Sequence, residues 1–357
     1  MGTLVAENFQ SFLLTALCSF ALLLSLPRVA RQIGLLDHPD ERKHHETATP
    51  LIGGISIALA VTVGILLQSS GISTHRIFLL SVAVICVVGV VDDLTDLSYR
   101  LKMFCQILVA LLIVIVGGET VTHIGYIFFS DTGYGLGPFS QVFTIIAVVG
   151  LMNAYNMIDG HDGLAAGCAV ITLLSVGLAL TVLQDAPVPV LLILFLISSL
   201  IFFFFNLESV VGSRRQAFLG DAGSLMLGLA VAYFLIKYSG LQASKIKVAA
   251  APWLVGLPLL DMMAVLTRRL LNRRSPFRAD RIHFHHVMMD YGLSKGRVLL
   301  LALVLQSLLS GIGLLGVIKN WPDGFLFWGL FVVLFSYLIV IRSLNTNSEG
   351  DCTSRSS

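Results

Sequence analysis

The chain has 357 residues, of which 56% are hydrophobic and only 12% charged. A soluble protein of this length could not cover so much apolar surface with so few charges, which excludes an ordinary water-soluble fold and makes lipid the natural solvent. The net charge of +2 says little by itself, and five scattered cysteines without a Cys-x-x-Cys pair argue against both a disulfide framework and a zinc site.

A helical span takes about 20 mainly apolar residues. About eleven segments qualify: 9–27, 51–70, 77–91, 101–117, 139–155, 163–183, 188–205, 219–238, 247–267, 297–318 and 324–342. The expected fold is an all-α polytopic membrane protein, one transmembrane domain over 1–344 followed by a disordered polar tail, 345–357. The first apolar run has no basic residue before it and no small-residue cleavage site after it, so it reads as a retained span rather than a signal peptide. Glycines and aromatics interleaved over 119–138 predict a short hairpin at the membrane surface.

Lysine and arginine set the orientation. With the N-terminus outside and the C-terminus in the cytoplasm, only Arg76, Lys237, Lys245, Lys247 and Lys319 of the 23 basic residues fall outside. The loops bearing acids and histidines (28–50, 92–100, 153–163, 206–221 and 268–297) then all face the cytoplasm, although neither residue type entered the assignment.

The first of these loops, from His38 to Gly54, is polar and ends in a glycine pair at a helix start, and its Arg42 and Lys43 suit a diphosphate. The third span ends in Asp92, Asp93 and Asp96. On a helical turn these acids share a face and repel unless a cation joins them, and hard oxygen donors suit Mg²⁺ or Mn²⁺. A solvated helix end is the plainer alternative. The fifth span ends in Asn153, Asn156, Asp159 and Asp162, with glycines beside both acids. Glycine permits close backbone approach to a ligand, and Asn offers both donor and acceptor.

Asn206 closes the seventh span. The run from Phe218 to Ser224 puts small residues and Asp221 before a helix, where free N–H groups favour anions. Simple capping by Asp221 is the alternative. Asp261 is an acid within the ninth span, a functional hint by position. The loop 268–297 carries Arg278 and Arg281 next to His283, His285 and His286. Arginine forks pair phosphate oxygens, and the imidazoles suit phosphate binding better than metal or an idle surface.

In order and spacing, these motifs resemble the polyprenyl-phosphate N-acetylhexosamine-1-phosphate transferases, from about His38 to about Tyr291. Within that family the closest likeness is to the undecaprenyl-phosphate N-acetylglucosamine 1-phosphate transferases, the WecA type. Phe284 interrupts the histidines and Val287 follows them, unlike the pentapeptide-sugar transferases of the same family. The resemblance implies transfer of GlcNAc-1-phosphate from UDP-GlcNAc to undecaprenyl phosphate, with UMP released. This would be the first lipid-linked step of a cell-surface polysaccharide such as lipopolysaccharide O antigen. Another UDP-amino sugar is the alternative donor, and a membrane transporter the alternative function.

The resemblance also implies residue roles. Asp221 would be the chief Mg²⁺ ligand, with Asp92 and Asp93 beside it. Asp92 would be the base or the orienter for the lipid phosphate. Asn156, Asp159 and Asp162 would shape the nucleotide pocket, Phe218 would stack on uracil, and Asn206 and the histidine loop would contact substrate. The expected partners are UDP-GlcNAc, undecaprenyl phosphate and the lipid bilayer, without nucleic acid and with a homodimer left open. The expected place is the bacterial inner membrane, with the active site facing the cytoplasm. Direct attack by the lipid phosphate needs no covalent intermediate.

Overall fold

The apolar segments become helices because a backbone in lipid must satisfy its own hydrogen bonds. The computed structural model describes residues 2–38, 48–68, 71–128, 133–184, 188–240, 245–273, 275 and 282–354. In chain order the helices are α1 (Gly2–Ile33), α2 (Gly53–Leu66), α3 (Gly71–Thr95), α4 (Tyr99–Leu111), α5 (Ser140–Ile158), α6 (Leu164–Gln184) and α7 (Val190–Asn206). They continue with α8 (Glu208–Val211), α9 (Gly220–Tyr238), α10 (Ala251–Val255), α11 (Leu257–Leu271), α12 (Phe284–Asp290), α13 (Lys295–Ile318) and α14 (Asp323–Ser354). Among the described residues, eight helices are long and apolar enough to cross a membrane. A further pair, α10 with α11, is bent by 89°, and α2 and α7 are shorter apolar helices. The protein is thus an all-α polytopic membrane protein, and the apolar segments of the sequence fall on these helices, with 247–267 divided between α10 and α11 and 101–117 running past the end of α4. Helix α14 continues into the polar stretch after residue 344 that the composition suggested as a disordered tail.

Helix α9 is the axis of the fold, buried from Ala222 to Ile236. Small residues let its neighbours come close: a Cβ on Gly54 of α2 would collide with the backbone of Gly223, and one on Gly89 of α3 with that of Ala222. Strands β1 (Leu36–Asp37) and β2 (Thr49–Pro50) pair antiparallel. The chain after β2 then fixes the approach to α9. Phe218 donates its N–H to Pro50 O at 2.9 Å, and the N–H groups of Gly53 and Gly54 reach Phe218 O and Leu219 O at 3.0 and 3.1 Å. The start of α2 is thereby tied to the start of α9.

The break between α10 and α11 sits at Gly256, with φ +56°. Gln306 of α13 bridges it, accepting the Leu257 N–H at 2.8 Å and donating to Leu254 O at 2.9 Å. A protein side chain thus satisfies the opened backbone, as an irregular segment among membrane helices requires.

The segment 119–138 does form paired backbone: Ile124 and Tyr134, Tyr134 and Gly125, and Leu136 and Thr122 are hydrogen-bonded at 2.8–3.0 Å. Lys237, at the far end of α9 from Asp221, pairs with Glu119 at 2.6 Å. The hairpin therefore stands at the opposite end of α9 from the acidic motifs.

Candidate active site

Helix α3 carries Asp92 and Asp93 in its last turn, so the expected loop 92–100 is in fact only the short connection between Thr95 and Tyr99. Asp92 Oδ1 accepts the Leu97 N–H at 2.9 Å, and Asp96 takes φ +52°, which ends the helix. Asp96 is exposed and lies past the end of the helix, although helical spacing had put all three acids on one face. Ser98 then caps α4, its Oγ accepting the Leu101 N–H.

One turn into α4, the Lys102 ammonium bridges the carboxylates of Asp92 and Asp221. Asp92 is buried, while Lys102 and Asp221 remain partly open to solvent, with side chains 21% and 29% exposed. Asn156 of α5 donates to Asp221 Oδ1 at 2.7 Å and to Ser224 Oγ at 3.0 Å. Helices α3, α4, α5 and α9 thus converge on Asp221.

Asp93 faces elsewhere. Its Oδ1 accepts the Asp221 N–H at 2.9 Å and its Oδ2 lies 3.4 Å from the Ala222 N–H. A carboxylate over the first N–H groups of a helix satisfies orphan donors and favours the dipole. Gly220, at φ +70°, permits this contact, because a Cβ there would run into Asp93 Oδ2.

The loop Asp159–Gly163 lies beside this cluster. Burial, then the nearby charges of Asp221, Asp93 and Asp162, hold the Asp159 carboxyl well above the usual carboxylate range. A Cβ on Gly160 would collide with His285, so the glycine gives the imidazole its place. His285 is 1% exposed, and neither ring nitrogen has a hydrogen-bond partner. Burial, followed by the neighbouring His286, His283 and His161, pushes its pKa far down, so the ring is neutral at pH 7. His286 lies 4.2 Å and His161 6.5 Å from it, centroid to centroid.

Other polar residues of the motifs brace the fold. Asn153 donates to Gln106 Oε1 at 2.7 Å and to Val149 O at 2.8 Å. Asn206 is 4% exposed; it accepts the Gly163 N–H at 2.6 Å and donates to Ala217 O at 2.9 Å. It joins the Asp-Gly loop to the chain leading into α9. Phe218 is half-buried, its backbone held on both sides. Asp162 is half-buried next to His161. Arg42, Lys43, Arg278 and Arg281 lie outside the described residues.

Among the described residues no three His, Cys, Asp or Glu side chains are arranged to enclose a metal ion. The donor set still fits Mg²⁺ held jointly with a substrate. Asp92 and Asp221 already direct an oxygen each at one cationic group, and Mg²⁺ in phosphoryl-transfer sites often has only one or two carboxylates with phosphates filling the rest. Asp93 does not share that point.

Lys102 escaped the sequence reading because it sits in an apolar run and counted only towards orientation. Its proximity to three acids at a span start was the available signal. His161 lay within a motif but was not singled out, and its place between two glycine-flanked acids was the clue.

Residues 75–239 match the family described as glycosyl transferase family 4. A Yersinia pestis protein named undecaprenyl-phosphate alpha-N-acetylglucosaminyl 1-phosphate transferase is 33% identical over 320 residues, covering 89% of this chain and 87% of that protein. A Pasteurella multocida protein of the same name is 33% identical over 327 residues, covering 92% and 91%. The Escherichia coli K12 protein of that name is 30% identical over 333 residues, covering 93% and 89%. With likeness of this extent over about nine-tenths of its length, the chain belongs to glycosyl transferase family 4, among these glycosyl 1-phosphate transferases.

Proposed function

We propose that the protein transfers GlcNAc-1-phosphate from UDP-GlcNAc to undecaprenyl phosphate, giving undecaprenyl-diphospho-GlcNAc and UMP. The observation that carries this reading is the convergence of Asp92, Lys102, Asn156 and Asp221 at the start of α9, beside Asp159 and a neutral, unpartnered His285. Such a surface suits a diphosphate, and the membrane-spanning helices around it suit an acceptor with a long apolar tail.

An oxygen of the lipid phosphate forms a bond to the β-phosphorus of the donor. The bond between that phosphorus and the bridging oxygen breaks, and the oxygen leaves with UMP. Little covalent help is needed, because positioning and charge neutralisation dominate phosphoryl transfer. Asp221 and Asp92 would hold Mg²⁺, or Mn²⁺ in its place, which supplies neutralisation of the diphosphate. Lys102 turns from its two carboxylates to the transferring phosphate. Asp92, once free of the lysine, orients the lipid phosphate through the oxygen that would not face the metal. Asn156 keeps Asp221 aimed, and Asp93 keeps the first turn of α9 in place. Asp159 and Asp162 flank the nucleotide, and the His285 ring hydrogen-bonds the sugar phosphate or a sugar hydroxyl. Phe218 stacks on the uracil.

The distribution of Lys and Arg supports a site that faces the cytoplasm from the bacterial inner membrane. The test is UMP release by detergent-purified protein with undecaprenyl phosphate and Mg²⁺, given UDP-GlcNAc, UDP-GalNAc or UDP-MurNAc-pentapeptide in parallel. Release with UDP-GlcNAc alone, abolished by EDTA, is expected. Release only with another donor overturns the donor assignment, and no release with any donor overturns the reaction.

A further inference from the structure

Three elements distant in sequence meet on the carboxylate of Asp261. This residue lies in α11 just beyond the break at Gly256 and is 2% exposed. Its Oδ2 stands 2.8 Å from His283 Nδ1. Its Oδ1 accepts the Phe284 N–H at 3.0 Å and the Tyr337 hydroxyl at 2.9 Å. A carboxylate buried among membrane helices is costly unless its lone pairs are met, and these three donors meet them. With the carboxylate as acceptor, it is His283 Nδ1 that carries the hydrogen of this bond.

The same contacts fix where the histidine segment begins. Phe284 is the first residue of α12, and His283 precedes it. Arg268 of α11 donates to Ile282 O at 3.0 Å and holds the preceding residue. The His283 ring then lies parallel to that of His285, with 12° between planes and 6.0 Å between centroids. His285 fills the space left by Gly160, next to Asp159. Tyr337 in the last helix, Asp261 and His283 thus form one hydrogen-bonded chain that ends two residues before His285, whose imidazole lies against Gly160.

We propose that Tyr337 and Asp261 are positioning residues for the donor substrate: helix α14, through the Tyr337 hydroxyl, fixes the tautomer and ring plane of His283 and so sets the histidine surface that receives the nucleotide-sugar diphosphate. This rests on the transferase reading above. It gives the last helix a part in the reaction, although that helix reads in the sequence as a plain apolar span and lies outside the family match at 75–239. Neither Tyr337 nor Asp261 touches substrate. Their effect is confined to where the histidines stand.

The experiment is steady-state kinetics of UMP release by the full chain, with each substrate varied in turn, for wild type, Tyr337→Phe, Asp261→Asn and the double variant. Tyr337→Phe keeps the ring and removes one hydrogen bond to a charged group, so kcat/KM for UDP-GlcNAc falls about tenfold, mostly through KM. The KM for undecaprenyl phosphate stays within about twofold, since the acceptor does not depend on this surface. Asp261→Asn presents His283 with an altered partner and raises the donor KM further. The double variant is then no worse than Asp261→Asn alone, because the hydroxyl acts only through Asp261. If Tyr337→Phe does not fold, Asp261→Asn alone carries the same donor-against-acceptor comparison. Unchanged donor constants, equal changes for both substrates, or simple additivity in the double variant each overturn the proposal. An inactive wild type would instead sink the transferase reading, so the two failures are distinguishable.

Discussion

Asp93 accepts the backbone N–H of Asp221 at 2.9 Å, so an acid at the end of one membrane helix holds the first turn of another. Two neighbouring aspartates of α3 therefore differ in what they do. Asp92 points at Lys102, and Asp93 points at the backbone of α9. Asp93→Ala should lower stability by about 1 kcal/mol, the usual loss for a helix cap, as read from thermal unfolding in detergent. Asp93→Asn keeps an acceptor and should retain most of that stability.

Metal titrations separate the acids further. Asp221→Asn should raise the Mg²⁺ concentration for half-maximal UMP release at least tenfold and cut kcat by roughly a hundredfold, the scale for removing an electrostatic group at a reacting centre. Asp93→Asn should move the Mg²⁺ requirement much less. Equal shifts for both would mean that Asp93 leaves the backbone of α9 and joins the metal.

Lys102→Met removes the ammonium while keeping much of the side chain's bulk. Its kcat should fall by about a hundredfold, and Lys102→Arg should restore part of it. A Lys102→Met enzyme with wild-type kcat would confine the lysine to a structural ion pair.

Asn206→Ala should act on the fold. It leaves the Gly163 N–H and Ala217 O without their partner, at a cost of about 1–3 kcal/mol. The expected reading is a lowered unfolding temperature with a donor KM close to wild type in protein that remains folded. A large rise in donor KM with unchanged stability would put Asn206 in contact with substrate.

His285 gives a pH signature. Its folded-state pKa lies far below the ordinary value near 6.5, chiefly through burial. Below that ordinary value the unfolded chain binds a proton that the folded chain refuses, so this residue favours unfolding as pH falls. The stability associated with neutral His285 is complete above about pH 6.5 and is lost progressively in more acid solution. His285→Gln should flatten the decline of the unfolding midpoint between pH 7 and pH 5. A decline of unchanged slope would mean that His285 titrates normally.

The helices were legible in the sequence because a run of apolar residues is a signal that needs no knowledge of partners. Even the broken span 247–267 and the hairpin at 119–138 left their marks in proline, glycine and aromatic placement. Which polar side chains come together was not legible. Asn153, Asn206 and Asp93 look as chemical in the sequence as Asn156 and Asp92, yet only the last two join the side chains of Lys102 and Asp221, while the others bond to backbone groups or to Gln106. Polarity is visible one residue at a time, whereas a hydrogen-bond partner is a property of the packed structure. Asp261 shows the same limit, since Tyr337 is remote in sequence and lies on a helix with no other sign of chemistry. Lys102 was hidden by the apolar run around it.

The most direct test of the account follows the donor's β-phosphate. Purified protein is given undecaprenyl phosphate, Mg²⁺ and UDP-GlcNAc carrying ³²P in the β position, and the lipid and nucleotide products are separated. The account predicts that the label moves into the lipid fraction with the sugar and that the nucleotide released is unlabelled UMP. Label recovered in released UDP, with sugar alone on the lipid, would contradict it.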